Sequence, residues 1–459
     1  MSSAATATLE RELARVAGAG AVVAPDGYLV SDMTRLPGRA DAVVFPSDAG
    51  AVARTVAWCY AHEVPITPRG GGTGLAGGAV ADGGVVLGLE RLNRIRSFEP
   101  LLWRLQVEAG ATTATVHRTA RESGLMFAPD PGAAELSQIG GNVATNAAGP
   151  HAFKYGATGT WVTGLEAVLA PGELVRIGGE VRKDVAGYDL RSLLVGSEGT
   201  LGIVTAVWLK LLPAPEVTLP VGAFYADVRS GCDAVERVLG HGIDAAAVDY
   251  LDGETLACGA GSFPAELPAE AGFFVLAEAD GAAGEAERVR GELVEALAPD
   301  ALGLHVPQDR GEREALWQWR AGLGFAVHAR RGGALSDDIV VPLERLAEAV
   351  EETVAIGRRH DVVGLSFGHA GDGNLHSTFL FAPEDPDELA RAEQACEELF
   401  ALAVRLGGSI SGEHGVGLTK RGRLALQWDS RALELHAAIK AAFDPKGLLN
   451  PGKKLAASS

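Results

Sequence analysis

Residues 68–78 read PRGGGTGLAGG, and the six glycines among these eleven positions decide how the chain is organised. Glycine costs conformational entropy in any helix or strand interior, so a run this dense is a loop that needs bare backbone. Without side chains, successive amide N–H groups can converge on an anion such as a phosphate or pyrophosphate. A merely flexible linker would be a Gly/Ser mixture and would not follow an apolar strand so directly. Here Val64-Pro65-Ile66-Thr67 predicts a short strand, Arg69 adds positive charge, and Gly83-Gly84 leads into a second strand, Val85-Val86-Leu87. No Gly-Lys-Ser or Gly-Lys-Thr follows, which excludes a Walker-type loop. The segment after Gly78 does not open the long helix of a Rossmann turn.

Two more small-residue segments follow. One combines Pro129-Asp130-Pro131-Gly132 with residues 137–149, SQIGGNVATNAAG; the other is residues 194–204, LVGSEGTLGIV. All three lie before residue 213. One long ligand lying across several loops explains them better than three separate sites, and tight α/β connections are the alternative.

At 459 residues the chain exceeds one ordinary core, which predicts two or three domains. Lys and Arg number 40 against 59 Asp and Glu, a formal charge of -19, which repels nucleic acid and an anionic membrane surface. Cys59, Cys232, Cys258 and Cys396 are scattered without the spacing of a zinc site, an iron–sulfur site or a redox dithiol. No apolar run reaches the length of a membrane span, and the start of the chain is amphipathic, Leu9-Glu10-Arg11-Glu12-Leu13, rather than a signal peptide. A soluble cytoplasmic protein is expected.

In chain order, a short helix and an irregular arm occupy residues 1–40. A strand at 42–45 precedes a helix capped by Ser47 and Asp48 and carrying Val52, Val56 and Trp58. A strand at 106–110 precedes a helix at 115–123 with Val116 on its inner side. The prolines of Leu211-Leu212-Pro213-Ala214-Pro215 mark a boundary, after which strands such as 272–276 mix with helices such as 283–297 and 343–359. That mixture predicts an antiparallel sheet covered by helices. The reading therefore divides the chain at 1–215, 216–404 and 405–459, the last piece ending in the turn-rich residues 443–452.

The second half carries the chemistry. In residues 368–376, GHAGDGNLH, apolar strands flank Asp372-Gly373, the dipeptide preferred in a two-residue type I′ hairpin. Counting outward from it pairs His369 with His376. Directly opposed Cβ atoms lie about 4.5–5.5 Å apart, close enough for two imidazoles to share a metal ion. Residues 411–417, SGEHGVG, offer Glu413 as a third ligand of a two-His-one-carboxylate set and His414 as a proton acceptor. A solvated loop carboxylate is the plainer account of Glu413. Arg320, beside Trp317 and Trp319 on a predicted helix, can grip a carboxylate bidentately or serve as a stacked structural cation.

Together PRGGGTGLAGG, IGGNVATNAAGPHAFKYGATG, VGSEGTLGIVT, GHAGDGNLH, SGEHGVG and FDPKGLLNPGK resemble, in this order, the FAD-linked 2-hydroxyacid dehydrogenases of the vanillyl-alcohol oxidase superfamily. That group includes D-lactate dehydrogenases, the glycolate oxidase catalytic subunit and D-2-hydroxyglutarate dehydrogenases. The resemblance runs from about residue 40 to near the end. It implies an α+β fold: a FAD-binding domain of two subdomains, a cap domain, and a C-terminal segment returning to the flavin. It also implies that Arg69, Gly70, Gly71, Gly72, Thr73 and Gly74 cradle the pyrophosphate. Pro131, Gly132, Ser137, Gly140, Gly141, Asn142, Thr145, Asn146, Gly149, Tyr155, Gly156, Glu198, Gly199, Gly202, Ile203, Val204 and Asn450 would line the rest. Relatives with covalent flavin often use a histidine in the Gly-rich loop; none stands here, so noncovalent FAD is expected. The positions matching metal ligands are His369, His376 and Glu413, with zinc favoured over manganese or iron. His414 matches the base, and Arg320 matches an arginine that grips the substrate carboxylate.

One departure bears on the substrate. The hydroxyglutarate branch has a lysine where this chain has Ser336-Asp337-Asp338 before Ile339-Val340-Val341-Pro342, and two acids there disfavour a second substrate carboxylate. D-Lactate or glycolate is therefore expected over D-2-hydroxyglutarate, with hydride passing to flavin N5. The expected partners are the small acid and an external acceptor, a quinone or carrier protein, since no cysteine cluster supplies a relay. A homodimer and a peripheral membrane location are compatible with this reading. A metallohydrolase of a phosphate ester, which would be colourless, is the alternative of another class, and a redox-silent flavin subunit is a third.

Overall fold

The strand expected at 42–45 forms as Ala42–Val44, and the helix after it runs Ala49–Ala61. Its N-cap is Asp48, whose side chain accepts from the Ala51 amide and satisfies one of the donors a helix start leaves unpaired. The helix predicted at 115–123 runs Thr113–Arg121 instead, because Thr112 caps it by accepting from the Thr115 amide. This computed structural model describes residues 3–455; residues 1–2 and 456–459, which the predicted limits include, lie outside the described residues. The chain divides into one unit of Met1–Ala148, Gly156–Ala214 and Glu413–Ser459, and another of Gly149–Tyr155 and Pro215–Gly412.

The first unit holds two main sheets. The smaller has strands Val22–Val23, Ala42–Val44, Val85–Gly88 and Ile66–Arg69 in that spatial order, the last three parallel. The Gly-rich loop leaves the end of Ile66–Arg69. The larger is antiparallel, in the order Ile95–Glu99, Arg104–Glu108, Ile203–Lys210, Val162–Leu169 and Glu173–Gly178.

The second unit is built on one seven-stranded antiparallel sheet. Its order is Gly303–His305, Val217–Tyr225, Phe273–Gly281, Ala247–Asp252, Val363–His369, Asn374–Phe381 and Gly333–Val340. On one face Phe224, Leu251, Phe274, Leu276, Leu365 and Phe367 pack against Leu316, Trp319 and Leu323 of the helix Arg310–Ala329. Phe263, Phe274 and Trp319 meet there edge to face, an arrangement aromatic quadrupoles favour. Helices Val228–Gly240, Ala283–Leu297, Leu346–Arg359 and Pro386–Arg405 also pack on this sheet.

The hairpin in this sheet corrects the predicted register. Residues Ala370–Asp372 form a turn of 3₁₀ helix and Gly373 adopts φ +64°, so the connection is longer than a two-residue type I′ turn. His369 consequently pairs with Asn374, and His376 pairs with Phe367. The slip is two residues, which preserves the face because strand side chains alternate with period two. The histidines are diagonal neighbours, with ring centroids 5.3 Å apart and planes nearly perpendicular.

Asp252 joins the sheet to the helix Gly253–Gly259. Its carboxylate caps that helix by accepting from the Thr255 amide and also accepts from the Ser366 amide. Burial pushes this carboxyl up to about 6, against the pull of those bonds. A native carboxyl that holds its proton more tightly than an unfolded one contributes stability below the unfolded value and loses it as pH rises to about 6. Asp252→Asn should therefore flatten the stability profile between about pH 4 and 6, removing a loss on the order of 2 kcal/mol. Chemical denaturation across that range checks it.

Candidate functional site

In the first unit the glycines separate into two kinds. A Cβ at Gly71 would overlap the Leu136 carbonyl oxygen, and one at Gly140 would lie 2.6 Å from the Ala109 Cβ, so chain packing alone demands glycine there. Gly132 and Gly141 have nothing within 4 Å of an added Cβ, although Gly141 sits inside the helix Ile139–Thr145, where alanine is intrinsically favoured. The backbone at these two positions is open to a ligand.

The polar groups nearby are largely engaged within the protein. Arg69 is buried, stacks over the Tyr28 ring at 4.8 Å and donates to the carbonyls of Tyr28 and Gly70. Its Nε is buried without a hydrogen bond. Asn142 donates to the Thr113 hydroxyl, which also meets that of Ser137, and Thr145 donates to the Gly141 carbonyl. Asn146 accepts from the Gly159 amide. Asn450 donates to the carbonyls of Gly78 and Glu198, and its Oδ1 is buried without a partner. Gln138 Oε1 and Asp32 Oδ2 are likewise buried without a hydrogen bond, so open backbone together with an unused buried donor and several unused buried acceptors fits an extended polar cofactor. Gly149 and Tyr155 fall in the second unit, where the Tyr155 hydroxyl donates to Asp280 at 2.6 Å and Lys154 pairs with the same carboxylate.

In the second unit the sheet face that meets the helix Arg310–Ala329 carries the titratable cluster. Asp249 lies directly across from His369 in the register, and both are buried. Its Oδ1 accepts from His369 Nδ1 at 2.7 Å, and its Oδ2 lies 2.8 Å from a terminal nitrogen of Arg320. Burial drives the Asp249 carboxyl up, but the charges of His369 and Arg320 and the bond from His369 outweigh it and hold the group below its ordinary value. With the proton on Nδ1, Nε2 of His369 is the atom that carries the lone pair, the arrangement of a metal-ligating histidine backed by a carboxylate. The Arg320 guanidinium lies over the Phe367 ring at 5.3 Å, and its Nε is buried without a partner. Asp249 escaped the sequence reading. The signal was present: Ala247-Val248-Asp249-Tyr250-Leu251 is apolar on both alternating faces, so an acid in its middle has to be buried and paired.

The SGEHGVG segment is held by its backbone. Asp338, fully buried and opposite His376 in the register, accepts from the Gly412 amide at 2.7 Å and from the Ser411 hydroxyl at 3.2 Å. Its charge is thereby committed to anchoring a loop. On the other side, both carboxylate oxygens of Glu198 accept from the amides of Val416 and Gly417, at 2.9 and 2.7 Å. Glu413 and His414, both half-buried, lie between these anchors along the chain.

Comparison with known proteins places the chain among characterised sequences. Residues 214–454 match the family of FAD linked oxidases, C-terminal domain, and residues 40–178 match the FAD binding domain. The chain is 38% identical to the glycolate oxidase subunit GlcD of Bacillus subtilis, over 91% of this chain and 89% of that protein. It is 34% identical to a D-lactate dehydrogenase of Anaerostipes hadrus, over 90% and 89%. It is 33% identical to a D-2-hydroxyglutarate dehydrogenase of Stutzerimonas stutzeri, over 91% of each. In fold it is similar to p-cresol methylhydroxylase with substrate bound, with TM-score 0.80 at 19% identity over 99% of this chain and 98% of that one. Among the described residues no helix is long and apolar enough to cross a membrane.

The two kinds of glycine should respond oppositely to alanine. Gly71→Ala should destabilise the protein by about 1–3 kcal/mol through overpacking. Gly141→Ala should leave thermal stability unchanged or raise it by up to about 1 kcal/mol, yet weaken FAD binding about tenfold by filling the open space. Melting curves and flavin titrations of both variants check this.

Proposed function

We propose that this chain, which belongs to the FAD-linked oxidases, oxidises a short 2-hydroxy monocarboxylate, D-lactate or glycolate, to the 2-oxo acid. The observation that carries the reading is the pairing of His369 and Arg320 on one buried carboxylate, which brings a metal-ligand type on the sheet and a carboxylate-gripping type on its covering helix to the same acid. Similarity to proteins named glycolate oxidase and D-lactate dehydrogenase supports the substrate class. The similarity to D-2-hydroxyglutarate dehydrogenases keeps that acid as the second reading.

When bound, FAD supplies the hydride acceptor, and a divalent ion, zinc favoured, lowers the pKa of a coordinated hydroxyl. His369, His376 and Glu413 are the residues that would hold the ion. Arg320 binds the substrate carboxylate, using the Nε that Asp249 leaves unused, and so fixes which hydrogen at C2 is presented. His414 accepts the hydroxyl proton as C2 loses its hydride, so the substrate gives up two electrons and two hydrogens in all. The glycines on either side of Glu413-His414 let the chain bring two adjacent polar residues to separate tasks, and the Glu198 anchor keeps His414 in place. The strand Gly333–Val340 carries no Lys or Arg that could meet a second substrate carboxylate, which favours the monocarboxylates. An external acceptor, a quinone or carrier protein, then takes the electrons.

His414→Ala should bind FAD with an unaltered spectrum and be reduced by substrate about 10²–10⁴-fold more slowly than the wild type in anaerobic stopped-flow measurements. Reduction of that variant at the wild-type rate would remove His414 from the chemistry.

A further inference from the structure

Asp249 sits in the middle of a central strand, fully buried, with apolar Val248 and Tyr250 as chain neighbours. A lone carboxylate there is costly to desolvate, and an ion pair in such a place is often no more stabilising than well-packed apolar groups. The arrangement of its two oxygens is more specific than a stability role requires. Oδ1 accepts a hydrogen bond from the Nδ1–H of His369 on the facing strand, and Oδ2 lies 2.8 Å from a terminal guanidinium nitrogen of Arg320 on the covering helix. Phe367 closes the group, with the Arg320 guanidinium over its ring and the His376 ring 5.4 Å away.

We propose that Asp249 is a positioning residue that sets two functions at once: the tautomer and aim of His369, and the orientation in which Arg320 offers its remaining nitrogens. The inference rests on the assignment of His369 to a metal and Arg320 to the substrate carboxylate. A carboxylate is required because both neighbours are donors. An amide in the same volume has one oxygen and one NH2 group, so it can satisfy either His369 or Arg320 and opposes the other.

The test uses flavin-loaded protein stripped with a chelator, and compares wild type, Asp249→Asn and Asp249→Glu. Zinc affinity is read by competition with a chromophoric chelator, and KM and kcat are read separately with D-lactate and glycolate. The expected result for Asp249→Asn is zinc affinity lower by about 10–100-fold and a raised KM, with the flavin spectrum close to wild type and a lowered melting temperature. Asp249→Glu, which keeps both acceptor oxygens, should recover part of each loss. Asp249→Asn with wild-type zinc affinity and wild-type KM overturns the proposal. Wild-type protein that binds no zinc overturns the metal assignment and the His369 half of the proposal, and KM then judges the Arg320 half by itself. If the single variants do not fold, the apolar pair Asp249→Leu with Arg320→Met removes both charges together. Zinc affinity unchanged in that pair overturns the role of Asp249 toward His369, and a fall of about 10–100-fold supports it.

Discussion

Two buried carboxylates grip backbone amides on either side of Glu413-His414, and the candidate chemistry depends on that grip. Asp338 holds Ser411 and Gly412; Glu198 holds Val416 and Gly417. A segment with glycines at 412, 415 and 417 would otherwise sample many conformations, since glycine loses more freedom on ordering than any other residue. Charge-assisted bonds to an ionised acceptor are about twice as strong as neutral ones, and here three come from backbone amides and one from the Ser411 hydroxyl. In the proposed reading, Glu413 and His414 are the members of this segment that serve ligand and substrate.

The same economy recurs within the sheet of the second unit, on both of its faces. Asp249, Asp252 and Asp338 are all buried, and each answers donors from a neighbouring element. The chain is acidic overall, at -19, yet these interior acids are matched locally by amides, a histidine and an arginine. Net charge describes what such a protein repels at a distance, whereas the interior pairing decides which small anion can be held.

Much of this was legible in the sequence, for identifiable reasons. The Gly-rich loop and its strands could be read because bare backbone beside apolar runs has few other uses, and the cap at Asp48 because N-caps act within three residues. The hairpin was found, but its register was not: Asp372-Gly373 resembles a two-residue turn, while the 3₁₀ turn of Ala370–Asp372 depends on how far the sheet needs the strands displaced. Period-two alternation protected the site from that error, since a slip of two leaves both histidines on one face. Asp249 could not be assigned its partners, because His369 and Arg320 lie 120 and 71 residues away along the chain and only the sheet order and the helix above it bring them together. The position of Asp338 in the sequence suggests a charge facing substrate, whereas its partners lie in a loop 73 residues away.

The central claim is that a protein with this cluster draws electrons from a short 2-hydroxy acid. The most direct measurement is anaerobic titration of the purified protein's flavin absorbance with D-lactate, L-lactate, glycolate and D-2-hydroxyglutarate. The account predicts a yellow protein whose flavin is bleached by D-lactate or glycolate and left oxidised by D-2-hydroxyglutarate. A flavin that stays oxidised with all four acids, or one bleached by D-2-hydroxyglutarate alone, contradicts it.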